Sequence, residues 1–392
     1  MKGSFTCNIP TIIEFGTKKV HLLLDYIKEM KGSRAMVVTN QKAVQSGIAE
    51  RVAKILDHGR IPYLLYDSVP LHPLDTDCME AFRRAKKEKV DLLIGLGSGE
   101  CIDMAKVVGV LLAHGGTARE RFGPHTLIAD STPLIAIPTV LGTGSATSFL
   151  ATVTDAKTLR KRVIYDRRIA PKVAILDPDI TDRLSARTMA FDGLAALAQA
   201  VDAYTQREAD PFSEALSGYA IELMAGQFQR DLEEMEARQR LMMGGLMAGI
   251  AYNFAEAKTV RIMAESLSGL YGMRSEEACI LALPVVFEYH MPFYLQKHAE
   301  AAKKLGVDPR GKTTEETACE AIEKWKTLAA PLTLDPVGSI ALPEARCSEA
   351  EELAARAAHL SSDMATRGPL TQKEFILLFG QALSGGKRGE TE

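Results

Sequence analysis

VDLLIGLGSGECIDMAK, residues 90–106, decides the fold. Its first part, Val90–Gly95, is an apolar run of strand length, and it opens directly into Gly95-Leu96-Gly97-Ser98-Gly99 and then a helix starting near Cys101. Glycines at such a turn let backbone N–H groups approach a ligand, and the first turn of a helix carries partial positive charge. The arrangement suits a diphosphate, although a plain strand-to-helix turn has the same composition.

Outward from this segment, strands are predicted at Ser33–Asn40, Pro62–Asp67, Leu134–Pro138 and Val173–Asp177. Helical patterns lie between them, from Ile48 to Ile55 and over Cys78–Lys89. Strand and helix in alternation give a parallel sheet covered on both faces. A second glycine-rich stretch, PTVLGTGS at 138–145, follows the Leu134–Pro138 strand. Both loops then fall at the carboxyl edge of the sheet, where open α/β sheets bind ligands. The hydroxyls of Thr139, Thr143 and Ser145 either reach a ribose or a nicotinamide amide, or close turns on their own backbone. From Thr181 onward β-branched runs nearly vanish and Ala, Leu, Met, Glu and Arg recur at helical spacing. Pro284, Pro331 and Pro336 are expected to punctuate this half, with a loop at Asp308–Thr313 before a helix at Glu315–Ala329. The expected organisation is an α/β dinucleotide-binding, Rossmann-like domain over 1–180 and an all-α domain over 181–392, with the boundary near 178–185.

The 392 residues carry 47 Lys and Arg against 50 Asp and Glu, a formal charge of −3 without a basic stripe, which argues against a nucleic-acid partner. Six cysteines without a CxxC pair read as reduced thiols. No signal-peptide pattern and no apolar run of membrane-spanning length is present, so a soluble cytoplasmic protein is expected.

The order of several motifs resembles the iron-containing (group III) alcohol dehydrogenases. These are IPTIIEFG at 9–16, VVTN at 37–40, the glycine turn with Asp103 and Lys106, and PTVLGTGSAT at 138–147. Further along come Lys161, PKVAILDP at 171–178, ALAQAVDAY at 196–204, ILALPVVFEYH at 280–290 and LGVDPRG at 305–311. The resemblance implies the dehydroquinate synthase-like architecture, NAD or NADP as cofactor, a small alcohol or aldehyde substrate, and a catalytic Fe²⁺ or Zn²⁺ between the two domains. It also implies a homodimer through the N-terminal domain, with Phe5–Ile12 as a possible edge strand. On this basis Asn40, Gly97, Ser98, Gly99, Asp103, Thr139, Thr143 and Lys161 would line the cofactor. Asn40 stands where NAD-preferring members carry an Asp; that tolerates or favours NADP, or Asn40 simply caps the next helix.

The metal ligands implied by the resemblance fall on Ala195, Gln199, Arg261 and Ser275. A methyl, an amide, a permanent cation and a hydroxyl do not hold Fe²⁺ or Zn²⁺, so no metal is expected there. Glu100 stands where the family's glycine turn has no charge, and a carboxylate beside a pyrophosphate opposes binding. Two functions follow. In the first, Arg261, Gln199 and Ser275 take the metal's place, hold a carbonyl oxygen and accept an anionic aldehyde or ketone in a metal-independent NAD(P)H reaction. Arg261 paired with Glu265 is the competing assignment. In the second, the chain is a catalytically degenerate relative with a structural or regulatory role.

Overall fold

The computed structural model describes residues 6–142, 144–206, 209–255, 258–329, 332, 347–366 and 369–383. Two compact units emerge. A sheet unit comprises Asn8–Leu184 with Ser362–Ala365, and a helical unit comprises Ser185–Ser361 with the described residues before 8 and after 365.

In the sheet unit, β1 (Ile12–Phe15), β2 (Ala35–Val38), β3 (Tyr63–Tyr66), β4 (Leu92–Gly97), β6 (Leu134–Pro138) and β9 (Val173–Leu176) form one sheet in the order β1-β9-β6-β4-β2-β3, with β5, β7 and β8 given below. Every pairing in it is parallel. The four inner strands are buried along their whole length, as strands covered on both faces must be, and their sequences are accordingly continuous apolar runs. The covering helices are α1 (Leu23–Glu29), α2 (Gln41–Gln45), α3 (Ile48–His58), α4 (Asp75–Lys87) and α5 (Gly99–His114). Helix α5 lies close on β4 because Gly95 has no side chain: a Cβ there would stand 3.1 Å from Ile102 Cα.

Two features depart from the expectations. The sheet's edge strand Ile12–Phe15, beside β9, was not among the expected strands; of the Phe5–Ile12 stretch, Phe5 lies outside the described residues and residues 6–11 form no strand within this chain. A second, three-stranded sheet was not anticipated: β5 (Gly123–Pro124), β7 (Leu150–Asp155) and β8 (Arg160–Tyr165), with β7 and β8 an antiparallel hairpin. Strand β8 opens with Arg160-Lys161-Arg162, and three cations in a row conceal a half-buried strand. Part of their cost is met by Asp363, whose carboxylate accepts from Arg162 Nε (2.7 Å), Arg162 Nη2 (2.9 Å) and Val163 N (3.1 Å).

The helical unit holds α6 (Ala186–Thr205), α7 (Pro211–Ala225), α8 (Met235–Phe254), α9 (Thr259–Tyr271), α10 (Ser275–His290), α11 (Leu295–Lys304), α12 (Thr314–Ala329), α13 (Cys347–Asp363) and α14 (Gln372–Leu383). Pro284 does not punctuate it; the proline lies inside α10. A proline there removes the N–H that would bond the carbonyl four residues back. Trp325 of α12 supplies the missing donor, its indole N–H reaching Ile280 O at 3.3 Å. Pro331 and Pro336 lie outside the described residues. Among the described residues no helix is long and apolar enough to cross a membrane.

Candidate functional site

In the sheet, β2 leads outward to β3 while β4 returns on the other side of β2, so the strand order reverses between β2 and β4. Ligands of open α/β sheets sit at the carboxyl ends of such a pair. Asn40 follows β2 and Gly97 ends β4. Gly97 adopts φ 144°, and a Cβ on it would stand 2.6 Å from Cys101 Sγ, with Asn40 Nδ2 also within 3.9 Å. The second glycine-rich loop lies against the first: Thr139 N donates to Gly97 O at 3.0 Å, and a Cβ on Gly99 would be 3.2 Å from Ser145 Oγ. Side-chain-free backbone at the start of a 16-residue helix is the cradle a diphosphate needs, and these residues fit a dinucleotide.

Other predicted cofactor residues have jobs visible in the fold. Asn40 caps α2, accepting from Ala43 N at 3.0 Å. Ser98 donates to Glu100 Oε2 at 2.5 Å and does not cap α5, so the Glu100 carboxylate engages a hydroxyl that was expected to line the cofactor. Asp103 is buried; it accepts from Lys106 Nζ (3.3 Å) and from Thr152 N (3.0 Å), and thereby ties α5 to β7. Lys161 lies on β8 opposite Thr154. Thr143 lies outside the described residues.

In the helical unit, Gln199, Arg261 and Ser275 are drawn together through two residues that the sequence reading left aside or treated only as a competitor. Gln199 Nε2 points at Cys279 Sγ across 3.9 Å. Arg261 Nη2 is 3.8 Å from Glu265 Oε1, while Ser275 Oγ donates to Glu265 Oε2 at 3.1 Å and lies 3.4 Å from Ser268 Oγ. Burial pushes the Cys279 thiol up to about 12; the Glu265 charge adds to the rise and Arg261 opposes it. The signal that could have found Glu265 is its spacing: Arg261, Glu265 and Ser268 form a polar stripe on a helix whose other residues are largely buried and apolar.

The start of α9 is fixed from outside. Asp202 Oδ2 on α6 accepts from Tyr252 Oη (2.7 Å) and Val260 N (3.1 Å), and Tyr252 Oη in turn accepts from Arg261 N at 3.1 Å. Asp202 is one helical turn beyond Gln199, so the same side chains that satisfy the first N–H groups of α9 also set Arg261 relative to Gln199. Asp192 is taken up by Arg274 at 3.4 Å, and Tyr271 donates to Glu349 at 3.4 Å.

The donor chemistry does not suit a family-type metal. Ala195 offers no donor and Arg261 brings a cation. Among the described residues no three His, Cys, Asp or Glu side chains gather as a metal site. His298 illustrates why the histidines do not help: it is a core residue, its ring edge-to-face with Phe287 at 4.4 Å and its Nδ1 3.0 Å from Tyr294 O.

Two buried groups of this unit titrate in opposite senses. Burial raises the Asp202 carboxyl from 3.8 to about 6, so in that window the folded state holds more protons than the unfolded one and stability falls as pH rises. Burial lowers His298 from 6.5 to about 4, so the folded state holds fewer protons and stability rises with pH. Each is worth roughly 3 kcal/mol at full extent, and in the wild type they offset one another. Relative to wild type, His298→Leu is expected to lose stability as pH rises from about 4 to 6, and Asp202→Asn to gain it. Urea midpoints across that range check this, and parallel curves for all three proteins would refute it.

A family model described as "Iron-containing alcohol dehydrogenase" matches residues 10–178, and one described as "Fe-containing alcohol dehydrogenase family, C-terminal" matches residues 189–382. The chain is 29% identical over 329 residues to a 1,3-propanediol dehydrogenase of Citrobacter freundii, covering 83% of this chain and 85% of that one. It is 30% identical over 331 residues to a choline dehydrogenase of Bacillus subtilis (strain 168), covering 83% and 82%. Among solved structures it resembles a 1,3-propanediol oxidoreductase with TM-score 0.86 and 26% identity, covering 97% of this chain and all of that one. An alcohol dehydrogenase from Oenococcus oeni shares the fold with TM-score 0.89 at 24% identity, over 97% and 100%.

Proposed function

Since the chain belongs to the iron-containing alcohol dehydrogenase family, we propose that it is an NAD(P)H-dependent oxidoreductase interconverting an alcohol and an aldehyde or ketone without a metal at the family site. The observation that carries the reading is the convergence of Gln199, Arg261 and Ser275 around Glu265 and Cys279. These are the positions that the family resemblance gives to metal ligands, and side chains from α6, α9 and α10 there offer an amide, a guanidinium and a hydroxyl as hydrogen-bond donors. Arg261 stabilises negative charge developing on a carbonyl oxygen, with Gln199 and Ser275 as further donors, each worth a few kcal/mol when well placed. Arg261 also recommends an aldehyde or ketone bearing a carboxylate, sulfonate or phosphonate, which would share the guanidinium with Glu265.

The dinucleotide is assigned to Asn40, Gly97, Ser98, Gly99, Thr139, Thr143 and Lys161, and it supplies or accepts hydride when bound. Asn40 favours NADP because no carboxylate there repels the extra phosphate. A degenerate, non-catalytic relative is the competing reading, and the Ser98–Glu100 hydrogen bond is what favours it.

Fluorescence titration with NADH and NADPH separates the two. Micromolar binding, tighter for NADPH, is expected. Asn40→Asp tests the residue cleanly, because Asp caps a helix as well as Asn does. Stability should therefore hold while the NADPH Kd rises roughly tenfold, about 1.4 kcal/mol, and the NADH Kd does not. No binding of either dinucleotide by the wild type would leave the degenerate relative standing.

A further inference from the structure

We infer that Glu265 and Ser275 form the proton path of the helical-unit cluster, with Ser275 Oγ as the group that touches substrate and Glu265 as the proton acceptor behind it. The inference rests on the reading of that cluster as the carbonyl site. Arg261 and Gln199 would stabilise an alkoxide, but the alcohol's proton must still leave for an acceptor, so a base is required. A carboxylate meets the need, and Glu265 is a carboxylate kept 5% exposed on α9, a position that side chain rarely takes without a function or a partner.

The geometry gives the direction. Ser275 opens α10 and is half-buried, whereas Glu265 lies deeper, so the hydroxyl is the outer end of the pair. Its Oγ donates to Glu265 Oε2 at 3.1 Å, which is the arrangement of a relay ready to accept. In alcohol oxidation the substrate O–H bond breaks and its proton passes to Ser275 Oγ, while the Ser275 proton moves to Glu265 Oε2. The dinucleotide, where bound, would supply the hydride acceptor that balances the lost proton as the carbon–oxygen double bond forms, and Glu265 later releases its proton to water. Carbonyl reduction runs the proton transfers backward, and the reduced dinucleotide would then supply the hydride.

The groups around Glu265 are known. Arg261 lies on its own helix at 3.8 Å and Ser275 reaches it from α10, where Cys279 also feels its charge; Glu276 pairs with Arg274, which also holds Asp192 of α6. Glu349 and Arg356 of α13 meet the far end of α9, at Tyr271 and Gly269.

The test uses the full-length protein and the variants Glu265→Gln, Glu265→Asp and Ser275→Ala, with NAD(P)H binding measured alongside. Glu265→Gln is expected to bind dinucleotide with an unchanged Kd and to lose roughly a hundredfold or more in kcat in both directions, a loss typical of general acid–base groups. It should also lose the acidic limb of the pH profile for alcohol oxidation. Ser275→Ala should match it, the double variant should fall no further, and Glu265→Asp should recover part of the rate. A carboxyl infrared band absent from Glu265→Gln should titrate with the apparent pKa of that limb. Wild-type turnover with an undiminished Glu265→Gln rate, an intact acidic limb, or a band that does not follow it would overturn the relay alone. Bound dinucleotide with no wild-type turnover on any alcohol or carbonyl compound would overturn the site reading and the relay with it. If Glu265→Gln does not fold, Ser275→Ala and Glu265→Asp carry the same comparison.

Discussion

Asp103→Ala is expected to destabilise the sheet unit by roughly 3–5 kcal/mol while leaving dinucleotide affinity unchanged in the protein that remains folded. Lys106 is 1% exposed, and its ammonium donates to Asp103 Oδ1, to Ser148 Oγ (2.8 Å) and to Leu150 O (2.8 Å). The serine and the carbonyl satisfy hydrogen bonds but carry no charge, whereas Asp103 is a counter-ion to the ammonium. Removing it takes a carboxylate from a buried cation and also deprives Thr152 N of its acceptor. Asp103→Asn keeps an acceptor for Thr152 and should fall between alanine and wild type. Urea denaturation followed by dinucleotide titration at low urea reads both quantities. A variant of full stability that had lost NADPH would support the expected place of Asp103 at the cofactor.

The same residue shows what the sequence could and could not reveal. The resemblance retained Asp103 and Lys106 together, and their i,i+3 spacing is a local fact. Their attachment to Ser148, Leu150 and Thr152 crosses more than forty residues and depends on β7, part of a sheet whose sequence does not advertise it. The central strands were legible because both of their faces are buried, which forces an uninterrupted apolar run; β8 was not, because its first three residues are cations disposed of by partners such as Asp363. In the helical unit, counting along the motifs was enough to name Gln199, Arg261 and Ser275. Glu265 and Cys279, which join them, depend on how α6, α9 and α10 pack, and periodicity alone does not encode that. Pro284 likewise looks like a break until Trp325, forty-one residues on, is seen to bond the carbonyl it leaves open.

Gly97→Ala is expected to abolish dinucleotide binding within the range of a fluorescence titration and to cost roughly 2–6 kcal/mol of stability. Two separate physical terms act. Gly97 holds φ 144°, which a side chain strains by roughly 1–3 kcal/mol. The added methyl also meets Cys101 Sγ at 2.6 Å in a buried setting where overpacking costs about 1–3 kcal/mol more. A second substitution distinguishes them. Cys101→Ala removes the sulfur but leaves a Cβ at 3.0 Å, so Gly97→Ala with Cys101→Ala should regain the packing part of the stability and none of the strain. Binding should stay lost in the double variant, because the strained turn no longer aims its backbone N–H groups at a diphosphate and the new methyl fills the place where the phosphate would approach. Cys101→Ala alone, which only creates space beneath the turn, should bind NADPH like the wild type at a modest loss of stability. If Gly97→Ala bound NADPH with wild-type affinity, the turn after β4 would be a plain strand-to-helix connection, and the dinucleotide would have to be sought away from the point where the strand order reverses.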